Sequence, residues 1–294
     1  AAGHDLTKLV AAARKSNFKP VPLGITTSLT LNNTISKKET ANVIGLLRGG
    51  DRADEVVVFT AHHDHLGVGE PDAEGDRIYN GALDNASGSA QLLAIAKAFA
   101  ALPQRPSRSI LFNFVAAEEQ GLLGSEYYAT HPTFHPGKIA ANLNFDGANI
   151  WGRTTDIVQV GFGKSQLDEV VRQFAAAQGR TIKPEQYPDR GFYYRSDQFN
   201  FAKIGVPAIY LDTGVDFRDR PAEWGRQQIE AWEAKQYHQP SDEIDATWNF
   251  DGMIEDARLG FFAGLAIAQM PQMPGWNPGD EFEAARKKAL AEAK

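Results

Sequence analysis

Two adjacent glutamates, Glu118 and Glu119, close an apolar run that begins at Ser109. Unpaired carboxylates are costly to bury, so such a pair indicates either bound cations or the exposed, acid-tolerant start of the next helix. Other residues of metal-binding type lie before and after the pair, namely His62, Asp84, Asp146 and His238. Imidazole and carboxylate suit zinc, and one carboxylate would remain as a base. The sequence therefore predicts a metal site.

His62 and Asp64 follow an extended stretch that starts near Val56. Alternate side chains of a strand share a face, so these two should point the same way and His63 the other. A ligating histidine usually donates its second N–H to a carboxylate or carbonyl, and Asp64 is close enough to accept it. The alternative is a polar loop of solvated histidines. We interpret His63 and His65 as structural or substrate-facing.

Asp84 precedes an Asn-Ala-Ser-Gly segment and a predicted helix. Taken alone it could be an ordinary N-cap. Its two carboxylate oxygens could instead bridge two cations about 3.5–4 Å apart. In the glutamate pair, one carboxylate can bind a cation while the other takes a proton from water.

The elements that must position these residues alternate between strand and helix from Asn42 onward. The alternation predicts a three-layer α/β/α fold with a mixed, mostly parallel central sheet. Functional sites in such sheets gather at the carboxyl ends of strands, where His62 and the glutamate pair fall. The helix at 87–100 should have Leu92, Leu93 and Phe99 on its apolar side. Strands are predicted at 43–47, 55–60, 109–116, 139–145, 157–160 and 208–211, and helices at 87–100, 121–129, 165–177, 221–236, 253–270 and 280–293.

Composition narrows the class of protein. The chain has 294 residues, 43% of them hydrophobic, and a formal net charge of −7, so we expect no nucleic-acid partner. No apolar stretch approaches the roughly 18–20 residues of a membrane span, and the absence of cysteine excludes disulfides. Residues 1–40 hold a short helix at 6–15 and an alternating stretch at 25–31. We expect them to pack on, or link to, a catalytic domain at 41–294. The chain starts at Ala1 without a signal sequence, so we expect a mature or excised form.

The order of these motifs resembles the co-catalytic di-zinc exopeptidases of peptidase family M28, which include secreted bacterial aminopeptidases and glutamate carboxypeptidases. The resemblance covers about Asn42 to Met270. It is carried by the segments at 61–67, 81–88, 118–125, 143–146, 195–197 and 237–238.

The resemblance implies two Zn²⁺ ions and a role for each site residue. Asp84 would bridge the ions, and Glu118 would be the general base. Tyr237 matches a tyrosine that steadies the oxyanion in some members. Independently of the resemblance, we place Asp64 among the catalytic residues because it is close enough to accept the second N–H of His62. The remaining ligands would be His62 and Asp146 on one ion and Glu119 and His238 on the other.

The implied activity is hydrolysis of the N-terminal peptide bond of a peptide substrate by a secreted or periplasmic enzyme. Alternatives are a glutamate-type carboxypeptidase, a single-zinc glutaminyl cyclase, and a non-catalytic relative on the same fold. Acidic surroundings suit a free α-amine, whereas an anionic terminus needs arginines. Arg195 is the one good candidate, and Asp197 could neutralise it. The aromatic run 192–194 could line a side-chain pocket or pack in the core.

Overall fold

A computed structural model describes residues 3–293, and the chain divides after Glu39 into two compact units. In the first unit, helix α1 (Leu6–Ala13) begins after Asp5, whose side chain accepts the Lys8 amide at 3.2 Å. The alternating stretch at 25–31 forms no strand, and its side chains are exposed, so no burial stabilises one there.

The second unit is built on a seven-stranded sheet and a separate two-stranded sheet. The strands are β1 (Val43–Leu47), β2 (Arg52–His62), β3 (Gly67–Val68), β4 (Ile78–Tyr79), β5 (Arg108–Val115), β6 (Ile139–Asn144), β7 (Asp156–Val160), β8 (Thr181–Pro184) and β9 (Ala208–Asp212). The large sheet has the order β1-β5-β2-β6-β9-β7-β8, and β3 and β4 form the small sheet.

Most neighbouring strands of the large sheet are parallel. β2 pairs in parallel with β5 and β6, β6 with β9, and β7 with β8. β1 runs antiparallel to β5, and β7 antiparallel to β9. The prediction of a mixed, mostly parallel sheet is confirmed.

Helices cover both faces of the sheet, as alternation along β2 shows. The helices are α2 (Gly88–Ala100), α3 (Leu123–Thr130), α4 (Leu167–Ala177), α5 (Gln198–Lys203), α6 (Trp224–Lys235), α7 (Asp251–Gln269) and α8 (Glu283–Glu292). Phe59 belongs to the core cluster that contains Ile95 and residues of α2, α4 and α7, whereas Val58 belongs to the cluster that contains Phe201 and residues of α3 and α5. This arrangement is the predicted three-layer α/β/α fold.

Some details differ from the sequence prediction. Leu93 is 62% exposed rather than on the buried side of α2, while Leu92 and Phe99 are buried. Strand β8 and helix α5 were not predicted, because both are short and β8 is an edge strand ending in Pro184. Within residues 3–293, no helix combines the length and apolar character needed to cross a membrane.

Candidate metal centre and cavity

The candidate centre lies where three neighbouring strands end. β2 ends at His62, β5 leads into Glu118 and Glu119, and β6 leads into Asp146. The parallel register sets His62 opposite Val115, so these chain segments leave the sheet at one edge.

One histidine meets two carboxylates at this edge. The Nε2 atom of His62 lies 3.0 Å from Oδ1 of Asp84 and 3.0 Å from Oδ1 of Asp146. His62 is 1% exposed, whereas His63 is exposed and turns to the Ala41 carbonyl at 3.1 Å. The strand alternation therefore selected the correct histidine for the interior.

A second histidine approaches from a distant part of the chain. The Nε2 atom of His238 lies 2.9 Å from Oε2 of Glu119 and 3.3 Å from Oδ2 of Asp84. Asp84 thus presents one carboxylate oxygen to each imidazole. The structure brings together His62, Asp84, Glu119, Asp146 and His238.

His65 also belongs to this cluster. Its Nδ1 atom lies 2.7 Å from Oε1 of Glu119, and its side chain is 5% exposed. His65, Asp84 and Glu119 together could hold a cation. His65 was not predicted to belong to the ligand group; its spacing three residues after His62 was the available signal.

Asp64 acts differently from the sequence prediction. Nδ1 of His62 donates to the backbone carbonyl of Asp64 at 2.9 Å, not to its carboxylate. The carboxylate instead accepts the amide of Ala117 at 2.8 Å. Ala117 has φ 54°, a left-handed conformation that is strained for a residue with a Cβ. Asp64 therefore holds the turn that delivers Glu118.

Asp84 is positioned through its backbone by Asp242. The buried Asp242 carboxylate accepts the amides of Leu83 at 2.9 Å and of Asp84 at 3.0 Å. The adjacent Asn85 accepts the Gly147 amide at 2.9 Å, which ties this segment to the residue after Asp146. Asp242 was not predicted to be part of the centre, although it lies four residues after His238.

Asp146 is fixed by two hydroxyl groups. Ser196 donates to its carboxylate, and Tyr210 donates to its backbone carbonyl. Asn144, at the end of β6, donates to the Ser196 hydroxyl at 2.8 Å. Hence β6, β9 and the segment before α5 position Asp146 together.

The close packing of carboxyl and imidazole groups in the cluster shifts their pKa values. Burial, followed by the charges of Asp146 and Asp197, raises the pKa of Glu118 to about 9. The adjacent carboxylates of Asp84 and Glu119 raise the pKa of His238 to about 9. Burial opposes ionisation of Asp84, yet the adjacent imidazoles of His238 and His62 hold its pKa well below the usual range. At neutral pH the cluster therefore carries protons that cations would replace.

A cavity of about 380 Å³ opens beside the cluster. Glu118, Glu119, Asp84 and Asp146 line one side of it. Tyr237 also lines it and stacks on His238, with ring centroids 3.7 Å apart. Helix α6 contributes Ile229, Trp232 and Glu233.

The residues at 192–197 separate into different environments. Phe192 and Arg195 line the cavity, whereas Tyr193 is buried in the core. Asp197 is fully buried, and no ion pair joins it to Arg195 in the described part of the chain. The suggestion that Asp197 neutralises Arg195 was wrong, because the buried carboxyl and the cavity-facing guanidinium point to different environments.

Comparison with known proteins finds a matching family model and several related sequences. The family model described as Peptidase family M28 matches residues 42–261. Leupeptin-inactivating enzyme 1 of Streptomyces exfoliatus is 29% identical over 75% of this chain and 47% of its own length. Leucine aminopeptidase 2 of Trichophyton rubrum is 26% identical over 82% of this chain and 46% of its own. The chain thus spans about half the length of these curated relatives.

Solved structures share the fold. The LapA aminopeptidase of Legionella pneumophila superposes with a TM-score of 0.59 and 19% identity, covering 79% of this chain and 55% of that one. A zinc aminopeptidase from Bacillus subtilis, BSAP, gives a TM-score of 0.57 and 23% identity, covering 79% and 53%. At these identities the similarity establishes the α/β architecture.

Proposed function

Because the chain belongs to peptidase family M28, we propose that it is a zinc-dependent aminopeptidase that removes the N-terminal residue of peptides. The observation that carries this proposal is the sharing of Asp84. Its two oxygens face two different imidazoles, each of which also faces a further carboxylate. This is the donor set of two adjacent cation sites with one bridging ligand.

The residues present fit zinc. The Nε2 atom of His238 and the Oε1 atom of Glu119 are buried, and their contacts with Glu119 at 2.9 Å and with His65 at 2.7 Å lack hydrogen-bond geometry among the described residues. The histidine-to-carboxylate separations of 2.9–3.3 Å are close to the roughly 3–3.5 Å between two ligands of one tetrahedral zinc. We assign His62 and Asp146 to one ion, Glu119 and His238 to the other, and Asp84 to both.

Residues of the chain would then have separate roles in the reaction. When bound, the two cations supply Lewis-acid polarisation of the scissile carbonyl and make water more acidic. Glu118 takes the proton of the attacking water and returns it to the leaving amine. Asp64 holds the Ala117 turn so that Glu118 reaches the cavity. Tyr237, on the cavity wall, donates its hydroxyl to the developing oxyanion.

Residues 41–294 form the catalytic domain in this proposal. We assign the enzyme to a secreted or periplasmic location, as the family resemblance implies. Zinc quantification after reconstitution tests the metal assignment. Two ions per chain are expected, and a limit of one tightly bound ion would contradict the bridging role of Asp84.

Peptides blocked at one end decide whether the enzyme recognises the N-terminus or the C-terminus of its substrate. A free α-amine is expected, since four carboxylates of the centre line the cavity. One observation favours a carboxypeptidase as the second candidate. Arg195 lines the same cavity and forms no ion pair with the described residues. One peptide should be tested free, N-acetylated and C-amidated. Loss of cleavage on acetylation alone supports the aminopeptidase, and loss on amidation alone supports the carboxypeptidase.

A further inference from the structure

Strands β7 and β9 form a second wall of the cavity. Val158 and Val160 of β7 line it together with Tyr210 and Asp212 of β9. Val158 lies directly opposite Asp212 in the antiparallel register. With Trp232 of helix α6, this wall is apolar and aromatic except for one carboxylate.

The Asp212 carboxylate has no cationic partner in the described part of the chain. Its Oδ1 atom accepts the Thr213 amide at 2.7 Å, and no lysine, arginine or histidine among residues 3–293 lies within ion-pair distance. Burial, with the charge of Asp146 adding to it, raises its pKa to about 7. A cation brought into the cavity would stabilise the ionised form of this carboxylate.

The arginines on the cavity wall do not supply that cation. Arg190 pairs with Glu233 at 3.0 Å, and Arg226 pairs with Glu223 at 3.3 Å. Both guanidinium groups lie over the ring of Tyr187, at 4.1 and 5.8 Å from its centroid. They are held in the wall by these contacts.

A second carboxylate of the cavity also has no ion-pair partner among the described residues. Glu185 also lines the cavity, and its Oε2 atom is buried without a hydrogen-bond partner among the described residues. Burial raises its pKa as well. Arg195 is the remaining guanidinium of the cavity, and it lies next to Ser196, which contacts Asp146 of the metal centre.

We propose that this wall binds the side chain of the substrate's N-terminal residue and that Asp212 selects lysine or arginine there. The inference rests on the proposed aminopeptidase activity. The aliphatic stem of such a side chain would lie on Val158, Val160 and Trp232, and its charged tip would meet the Asp212 carboxylate. Long cationic side chains commonly bury their stems in this way.

The test compares peptides that differ only in the first residue: lysine, arginine, norleucine and leucine. Norleucine has the lysine stem without the amine. Wild-type kcat/KM should be about 10- to 100-fold higher for lysine than for norleucine, the range for a hydrogen bond to a charged group. Asp212→Asn keeps an oxygen for the Thr213 amide and should abolish that ratio by lowering cleavage of the lysine and arginine peptides.

Asp219→Asn is the matched control, because Asp219 is exposed, lies outside the cavity and loses the same charge. Asp219→Asn should keep the wild-type ratio of kcat/KM for the lysine peptide to that for the norleucine peptide. If Asp212→Asn lowers kcat/KM equally for all four peptides, Asp212 contacts the α-amine that they share or has only a structural role. Either result would overturn the inference. So would norleucine cleavage at the lysine rate by the wild type. Failure to cleave any of the four would overturn the aminopeptidase proposal itself, and this inference with it.

Discussion

Replacing Glu118 by glutamine should abolish turnover while making the metal-free protein more stable. Glutamine has the shape of the glutamate side chain but cannot accept the proton of water. General-base catalysis is worth about 10²–10⁴-fold, so kcat should fall by that factor. Zinc content should stay at the wild-type value, because Glu118 is not among the five assigned ligands.

The stability change follows from the raised pKa. An exposed glutamate has a pKa of 4.5, whereas the pKa of Glu118 is about 9 in the folded, metal-free chain. Between these values the unfolded chain is ionised and the folded chain is protonated, so stability is lost as pH rises above 4.5. Each pH unit above 4.5 costs about 1.4 kcal/mol of stability, so the loss at pH 7.5, about three units higher, is at most about 4 kcal/mol. Glutamine avoids this cost, and we expect a gain of about 2–4 kcal/mol.

Denaturant unfolding in a chelator, at pH 7.5 and again near pH 4, measures this gain. The difference between variant and wild type should nearly disappear at the lower pH, where Glu118 is largely protonated in both the folded and the unfolded chain. Glu126→Gln on the exposed face of α3 is the matched control and should change neither rate nor stability. Near-normal turnover in Glu118→Gln, or a metal-free variant less stable than wild type at pH 7.5, would refute the reasoning.

Three further outcomes follow from the geometry. Tyr237→Phe should lower kcat by about 10–100-fold, less than the base variant, because one oxyanion donor is lost; equal losses would contradict the separate roles. His238→Ala should retain one zinc per chain and His65→Ala two, by elemental analysis, since the first removes an assigned ligand and the second a neighbour of Glu119. The raised pKa of His238 contributes stability that is complete below 6.5 and lost as pH rises through about 9. The metal-free protein should therefore melt at a lower temperature at pH 9 than at pH 6.5, and calorimetry in two buffers should detect proton release on zinc binding.

Local patterns determined much of the fold. Strand–helix alternation was sufficient for the three-layer architecture, because each element buries an apolar face that its own residues display. The period of two along β2 placed His62 inward and His63 outward. The end of the apolar β5 run marked the position of the glutamate pair. These features depend on residues a few positions apart, so the sequence displays them directly.

Partners from distant segments were decided by the tertiary structure alone. Asp242 lies 159 residues from the Leu83 amide that it accepts, and Asp64 lies 53 residues from the Ala117 amide. No periodicity connects such residues; packing of the loops at the sheet edge brings them together. The same loop packing brings His65 against Glu119 and leaves Arg195 on the cavity wall while Asp197 is buried. A sequence shows which side chains can ionise or bind, whereas burial and neighbouring charge, set only by the folded chain, decide which of them remain without a partner.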